Sequence, residues 1–294
     1  MPNTDWDPRA PETLRDQRAT YDSMRERCPV AYSDFLGWSL FQHEDVTAVL
    51  ADPTTFSSAS HHRAIPNGMD PPEHTVYRHA LEPFFTVDQM ADFELHCRAL
   101  ASELVETVLT SDDVEFVGDF AEPFALQAQC AFLGWPTETW EHLLGWMHGN
   151  QESALSRDRA AGKRVAEELA NYVDEALRVR RTAGSAIDWD RMSQLMATEV
   201  DGQPLSDDDL VSTLRNWIAG HGTVNAALSI LVFHLAKDRE LQQRLRREPT
   251  LIPAAIDEIL RVDGPLVANR RTAARSVEIG DRAIQEGEKL TLMW

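Results

Sequence analysis

Two basic side chains, His74 and Arg78, lie four residues apart in the segment DPPEHTVYRHALEPFF. The turn Asp70-Pro71-Pro72 can begin a helix, and residues at i and i+4 of that helix share one face. Two adjacent cationic or hydrogen-bond-donating groups suit a dianionic ligand. The alternative is a pair of solvated charges on a helix surface, which is the usual state of such residues.

Charged side chains in the C-terminal third of the chain form two further candidate sites, one for anion binding and one for an ion pair. Arg271 lies just before a predicted strand in RRTAARSVEIG and could face the same anion as His74 and Arg78, or be a simple exposed arginine. Glu258 and Arg261 have the i, i+3 spacing of an ion pair on one helical face. As a surface pair they would contribute about 0.3–0.5 kcal/mol and carry no function.

The stretch AGHGT, residues 219–223, is poor helix-forming sequence at the centre of a long apolar helix that the sequence predicts from about 206 to 236. Ser206 is a good N-cap, with Asp209 in the capping-box position. Each glycine costs roughly 1 kcal/mol relative to alanine in a helix. Their missing side chains allow close approach of something large and flat, and Thr223 can turn its hydroxyl into that space. The alternative is a close helix–helix crossing.

The composition limits the class of protein. The chain has 294 residues, 43% of them hydrophobic, and a formal charge of −20. This charge argues against nucleic acid as a partner and gives no attraction to an anionic membrane. The N-terminus has no signal-peptide pattern, and we expect no apolar run long enough to span a bilayer. Cys28, Cys97 and Cys130 form no C-x-x-C pair, which predicts neither a disulfide framework nor a zinc site and favours the reducing cytoplasm.

Hydrophobic periodicity predicts mostly helices, followed by short strands near the C-terminus. SVEIGDRAI and EKLTLMW alternate apolar and polar residues, with a turn at Gly280-Asp281. The fold class is therefore mainly α with small sheets. Because Trp294 lies in an apolar strand, we expect an unpaired strand edge there and a polypeptide that is incomplete relative to its fold.

Taken together and in this order, these stretches resemble the bacterial soluble cytochromes P450, which are haem-thiolate monooxygenases. The resemblance runs from about Cys28 to Trp294 and rests on HEDVTAVLADPTTFSS, DPPEHTVYRHALEPFF, AGHGT, DEILRVDGP and RRTAARSVEIG…EGEKLTLMW. It implies the cytochrome P450 fold, with a long central helix and small peripheral β-sheets, as a single domain over residues 1–294.

The resemblance also implies roles for the charged side chains. His74, Arg78 and Arg271 would hold the propionates of haem, the expected cofactor. Glu258 and Arg261 match the structural E-x-x-R pair of the family.

The AGHGT stretch matches the oxygen-binding kink of the family's long helix. Ala219, Gly220 and Thr223 would lie against the haem, and Thr223 would help to deliver protons to bound oxygen. Gly222 stands where the family usually has an acid. His221 is not assumed to replace that acid, so a proton path through water or substrate remains open.

The family's iron-ligating cysteine lies in an F-G-x-G-x-H-x-C-x-G loop, and none of the three cysteines follows that pattern. No metal ligand is therefore assigned in this chain. We interpret the chain as a cytochrome P450 domain truncated before that loop, and we expect it to be inactive in this form.

The resemblance implies oxidation of a small organic substrate with dioxygen and two electrons. The electrons would come from a ferredoxin-type donor and its NAD(P)H-dependent reductase. The alternatives are a haem-free helper protein, for example an auxiliary subunit of a glycosyltransferase, or a non-functional gene remnant. The intact AGHGT stretch and the propionate-binding set weigh against a helper, and a haem absorbance measurement separates the possibilities.

Overall fold

The computed structural model describes residues 3–59, 63–156, 158–183 and 190–294. The chain divides into two compact units. The first, the terminal unit, combines both ends of the chain, Met1–Thr75 and Leu266–Trp294. The second, the helical unit, is the continuous segment Val76–Pro265. The single domain expected over residues 1–294 stays a prediction.

Helices dominate and short strands follow near the C-terminus, as predicted; further short strands lie near the N-terminus and between Met196 and Asp207. The helices are α1 (Pro11–Arg15), α2 (Gln17–Arg27), α3 (His43–Ala51), α4 (Glu73–Leu81), α5 (Val87–Val108), α6 (Glu122–Leu133), α7 (Trp140–Ser156), α8 (Arg159–Ala183), α9 (Arg191–Met196), α10 (Asp207–Lys237), α11 (Arg239–Arg247) and α12 (Ile252–Val262). The strands are β1 (Val30–Ser33), β2 (Gly37–Leu40), β3 (Phe56–Ser57), β4 (Glu199–Val200), β5 (Gln203–Pro204), β6 (Ala268–Ala273), β7 (Val277–Ile279), β8 (Arg282–Ile284) and β9 (Lys289–Met293).

The terminal unit is built on a five-stranded sheet with the order β1-β2-β9-β6-β3. Strand β9 pairs in parallel with β2 and antiparallel with β6. The expected unpaired edge at the last strand is therefore wrong, because β9 lies in the middle of the sheet with partners on both sides. The central position explains why residues 290–293 are all buried.

Both faces of this sheet are covered by apolar side chains. One face packs Trp38, Leu40, Leu290 and Leu292 into a shared core. The other face forms a second core, which consists of Trp6, Met24, Ala31, Phe41 and Met293. The predicted hairpin of β7 and β8 turns at Gly280-Asp281 and lies beside the sheet as a separate two-stranded ribbon.

The helical unit is organised around α10, which contacts α6, α8 and α12. The predicted N-cap is confirmed, because the Ser206 hydroxyl accepts a hydrogen bond of 3.2 Å from the backbone N–H of Asp209. By length and composition α10 could cross a bilayer, so the expectation that no stretch reaches that length was wrong.

An ion pair joins three elements of the helical unit. The guanidinium of Arg180, near the end of α8, binds both carboxylate oxygens of Asp190. It also donates a 2.9 Å hydrogen bond to the backbone carbonyl of Gly134, just after α6. Asp190 in turn caps α9 through the N–H of Ser193 at 2.7 Å. A Cβ at Gly134 would lie 2.4 Å from the Cβ of Asp190, so glycine is required there.

Candidate functional site

The predicted turn at Asp70-Pro71-Pro72 leads directly into α4, as expected. The backbone carbonyl of Asp70 accepts a 2.9 Å hydrogen bond from the N–H of His74, which closes the first turn. The Asp70 carboxylate accepts hydrogen bonds from the Ser57 hydroxyl and, at 2.7 Å, from the Ser58 N–H. These bonds fix the start of α4 to the end of β3.

Arg271 lies on β6, on the strand that pairs with both β3 and β9. Its side chain is half-buried, and burial lowers the pKa of the guanidinium, while the nearby Asp70 carboxylate partly opposes that shift. The terminal unit therefore brings Arg271 and the turn before His74 into electrostatic range of each other. The sequence analysis missed this role of Asp70.

Helix α4 carries His74 and Arg78 on one face, since they are one helical turn apart in an uninterrupted helix. His74 is half-buried and Arg78 is exposed. The helix begins in the terminal unit and ends in the helical unit, so His74 belongs to the first and Arg78 to the second.

The AGHGT stretch lies in the middle of α10, and the helix continues through it without interruption. The long helix predicted from about 206 to 236 is therefore confirmed. Ala219, Gly220 and Thr223 form an exposed strip on one side of the helix. A Cβ added at Gly220 or Gly222 would meet no atom within 4 Å. The two glycines therefore border open space within this unit. A close helix–helix crossing does not explain why glycine occurs at these positions.

His221 faces the opposite side and is 2% exposed. Its Nδ1 contacts the backbone carbonyl of Ile218, and its Nε2 is buried without a hydrogen-bond partner in the described part of the chain. Burial lowers the pKa of His221, although the Ile218 carbonyl and the Glu122 carboxylate act in the other direction. His221 is therefore a neutral core side chain and does not line the strip.

Glu258 and Arg261 form the predicted pair on α12, with two hydrogen bonds of 2.7 and 2.8 Å. The guanidinium lowers the pKa of Glu258 through these hydrogen bonds. Both side chains are about two-thirds exposed, at 64% and 68%. In this environment the pair contributes little to stability.

Cys97 and Cys130 do not have the environment of a metal-binding thiolate. Burial raises the pKa of Cys130 to about 12, and burial followed by the charge of Glu94 raises that of Cys97. Cys28 donates to the carbonyl of Val30 and accepts a hydrogen bond from Arg282. A thiolate ligand needs a lowered pKa and access to the metal.

The side chains present fit part of a haem site. A flat group suits the exposed strip of α10, where no side chain fills the space over Gly220. A carboxylate suits Arg271, which is half-buried and has no carboxylate at ion-pair distance within the described ranges. None of the three cysteines lies in the sequence pattern that supplies the thiolate ligand of iron in the family.

Comparison with known proteins identifies the family. The family model for cytochrome P450 matches residues 140–294. Cyclomarin C epoxidase CymV of Salinispora arenicola is 30% identical over 92% of this chain and 72% of its own length. Linalool 8-monooxygenase of Pseudomonas putida is 26% identical over 87% of this chain and 69% of its own. A mutant of P450 EryK in complex with erythromycin B has a TM-score of 0.83 at 26% identity, covering 95% of this chain and 74% of that protein.

The chain therefore belongs to the cytochrome P450 family. Its enzyme class is that of the cytochrome P450 monooxygenases, and haem is the cofactor of the family. The predicted fold class, mainly α with small sheets, is confirmed.

Proposed function

We propose that the chain holds haem for the oxidation of a small organic molecule. His74, Arg78 and Arg271 bind the two propionates, and the strip of Ala219, Gly220 and Thr223 forms the wall above the porphyrin face. The observation that carries this proposal is the strip itself. Three small or hydroxyl side chains are exposed in mid-helix, with open space at Gly220, on the longest helix of the described chain.

Haem with a thiolate ligand activates dioxygen when two electrons are supplied. The role of this chain is to orient the porphyrin and to supply a hydroxyl donor at its open face. The Thr223 hydroxyl forms no hydrogen bond to any residue in the described ranges, so it is available to hold a proton-carrying water there. The family resemblance assigns a structural role to Glu258 and Arg261, which pair with each other on α12.

The names of the relatives support an organic substrate, and the family resemblance supports an electron-donating partner chain. Linalool, cyclomarin C and erythromycin B are organic molecules named for proteins similar to this one. We infer a small, largely apolar organic substrate, and a ferredoxin-type donor with an NAD(P)H-dependent reductase as the electron source. The three free thiols are consistent with a cytoplasmic location.

A haem titration of two glycine variants tests the proposed wall. Gly220→Leu fills the open space on α10, and Gly145→Leu is the matched control on α7. Both glycines lie in exposed helical positions where a Cβ would meet no atom within 4 Å. We expect Gly220→Leu to weaken haem binding by roughly 10-fold or more, and Gly145→Leu to leave it unchanged.

Both variants should unfold at or above the temperature of the parent, since replacing an exposed helical glycine adds about 0.5–1 kcal/mol of stability. If Gly220→Leu binds haem as tightly as the parent does, the strip is not part of the haem site. A parent chain that gives no haem absorbance at all would favour the haem-free helper.

A further inference from the structure

A cleft of about 170 Å³ lies between α5 and α6 in the helical unit. Phe93, Cys97 and Leu100 line it from one face of α5, and Ala128 and Ala131 line it from α6. None of the 22 residues of α5 is buried, so α6 covers this apolar face only in part. Because the two alanines are small, the helices leave space that a further group can fill. A cavity of about 150 Å³ can hold a benzene ring, so the cleft has room for one ring.

Polar side chains also line the cleft, among them Glu103 on α5, Gln127 on α6 and Thr137 just after α6. Within the described ranges, these three side chains form no hydrogen bond and no ion pair. The two helices are joined by a short connection and run antiparallel, with the ring of Phe93 packed on that of Phe132 near the end of α6, 5.5 Å between centroids. Gln127 therefore lies toward the Glu103 end. A concave, mostly apolar surface with a few unpaired polar groups is typical of a small-molecule site.

The Glu103 end of the cleft is negatively charged. Among the described residues that line the cleft, only His96 can carry a positive charge, and its side chain is exposed to solvent. The guanidinium of Arg191 lies at the other end, 5.6 Å from the ring centroid of Phe93. Phe93 and Glu103 are about 15 Å apart along α5, given the rise per residue of a helix. An ammonium ion beside Glu103 would therefore meet an unpaired carboxylate and little opposing charge.

We propose that the cleft is a second binding site, which takes a small organic ammonium ion with one apolar ring. The ammonium group donates to the carboxylate of Glu103 and to the amide oxygen of Gln127 on the facing helix. The ring packs against Leu100, Cys97 and Ala131. This ligand combines a charge-assisted hydrogen bond with the burial of apolar surface. The cleft shares no lining residue with the strip on α10, so the proposal is tested without haem and separately from the proposed function.

Cys97 can report on occupancy, because it lines the cleft and is half-buried. We would treat the full chain with iodoacetamide and follow the modification of each cysteine by mass spectrometry. Cys28 is the internal reference, since it is also half-buried and lies in the terminal unit. The probe is phenethylamine, and phenethyl alcohol is its neutral match. We expect the amine to slow modification of Cys97 by roughly 5-fold or more without slowing that of Cys28, and the alcohol to require a roughly 3- to 10-fold higher concentration.

Two pairs of variants test the charge and the space. Glu103→Gln should raise the concentration of amine that half-protects Cys97 by roughly 3- to 10-fold, without changing that of the alcohol. Glu106→Gln is the matched control, because Glu106 is an exposed carboxylate on the same helix outside the cleft lining. Ala131→Leu fills the cleft and should abolish protection by both probes. Ala99→Leu, at an exposed position of α5 outside the cleft lining, should leave protection unchanged.

Absence of protection at about 10 mM amine, a generous limit for a ligand of this size, would overturn the proposal. Equal protection by the amine and the alcohol would overturn it as well, since the site would then not select a cation. Equal effects of Glu103→Gln and Glu106→Gln would assign the effect to the overall charge and have the same consequence. So would equal slowing of Cys28 and Cys97, which would show a general effect of the amine. If Ala131→Leu does not fold, the two glutamate variants still decide the outcome.

Discussion

At the scale of single residues, Thr223 and His221 are two positions apart on α10 and lie in opposite environments. Thr223 is exposed on the strip, and His221 is buried in the helical unit. In the sequence Gly220-His221-Gly222-Thr223, the threonine hydroxyl lies on the side of the helix that faces open space. The residue before it is a glycine, so no carboxylate lies next to it in sequence. The two side chains therefore predict different experimental effects.

Thr223→Val should uncouple electron consumption from product formation in a form of the enzyme that carries an iron-ligating cysteine. Removal of one well-placed proton-transfer group costs roughly 10²–10⁴-fold in rate, and ordered water offsets part of that cost. The measurement is product formed per NAD(P)H consumed. Thr213→Val is the control, because Thr213 is a buried threonine on the same helix whose hydroxyl has no partner in the described chain. Equal coupling in the two variants would reduce Thr223 to a packing role.

His221 should make the protein less stable in acid. Because burial lowers its pKa in the folded chain, the unfolded chain takes up a proton more readily, with a pKa of about 6.5. This contribution to stability is present above pH 6.5 or so and is lost as the pH falls below it. We expect the free energy of unfolding to drop less between pH 8 and 5.5 in His221→Leu than in the parent, as measured in urea. An identical drop in both proteins would show that His221 titrates normally.

At the scale of elements, the bond of Arg180 to Asp190 fixes α8, α9 and the end of α6 to one another. The two side chains are only 10% and 13% exposed. Arg180→Gln leaves a poorly solvated carboxylate behind and should lower the free energy of unfolding by about 3 kcal/mol. Arg178→Gln on the same helix breaks an exposed pair with Glu175 and should cost less than about 1 kcal/mol. Similar losses in urea melts of the two variants would contradict this difference.

At the scale of the whole molecule, we expect none of the three cysteines to contribute to the spectrum of a haem complex. The reduced, carbon-monoxide-bound complex of this 294-residue chain should lack the Soret band of thiolate ligation. Cys130 is buried with a pKa of about 12, and the pKa of Cys97 is raised as well. Serine variants of Cys28, Cys97 and Cys130 should therefore leave the spectrum unchanged. A thiolate band that one of these substitutions abolishes would identify a cysteine that reaches iron.

Local patterns in the sequence predicted the elements better than the contacts between them. Ser206 predicted the start of α10 within one residue, since capping is a local effect. The position of β9 in the middle of the sheet was not predictable from local patterns. Its parallel partner β2 lies near the other end of the chain, and the β7–β8 ribbon separates β9 from its antiparallel partner β6. Asp70 was seen only as part of a turn, since its hydrogen bonds to Ser57 and Ser58 join residues 12 or 13 positions apart. The Asp-Pro-Pro signal predicted the start of α4, but no local signal indicates the contacts of Asp70 with the end of β3.

The closure of the terminal unit by β9 has a consequence for synthesis on the ribosome. The first 75 residues contribute β1, β2 and β3, but the strands that join them, β6 and β9, belong to the last 29 residues. During translation the helical unit emerges after the first 75 residues but before β6 and β9, and it can fold as a continuous segment. At about 5–20 residues per second, the N-terminal strands wait roughly 10–40 s for their partners. We therefore expect the nascent N-terminal segment to be the main target of chaperones, and ribosome-bound chains stopped before β6 to be cleaved by protease within residues 1–75.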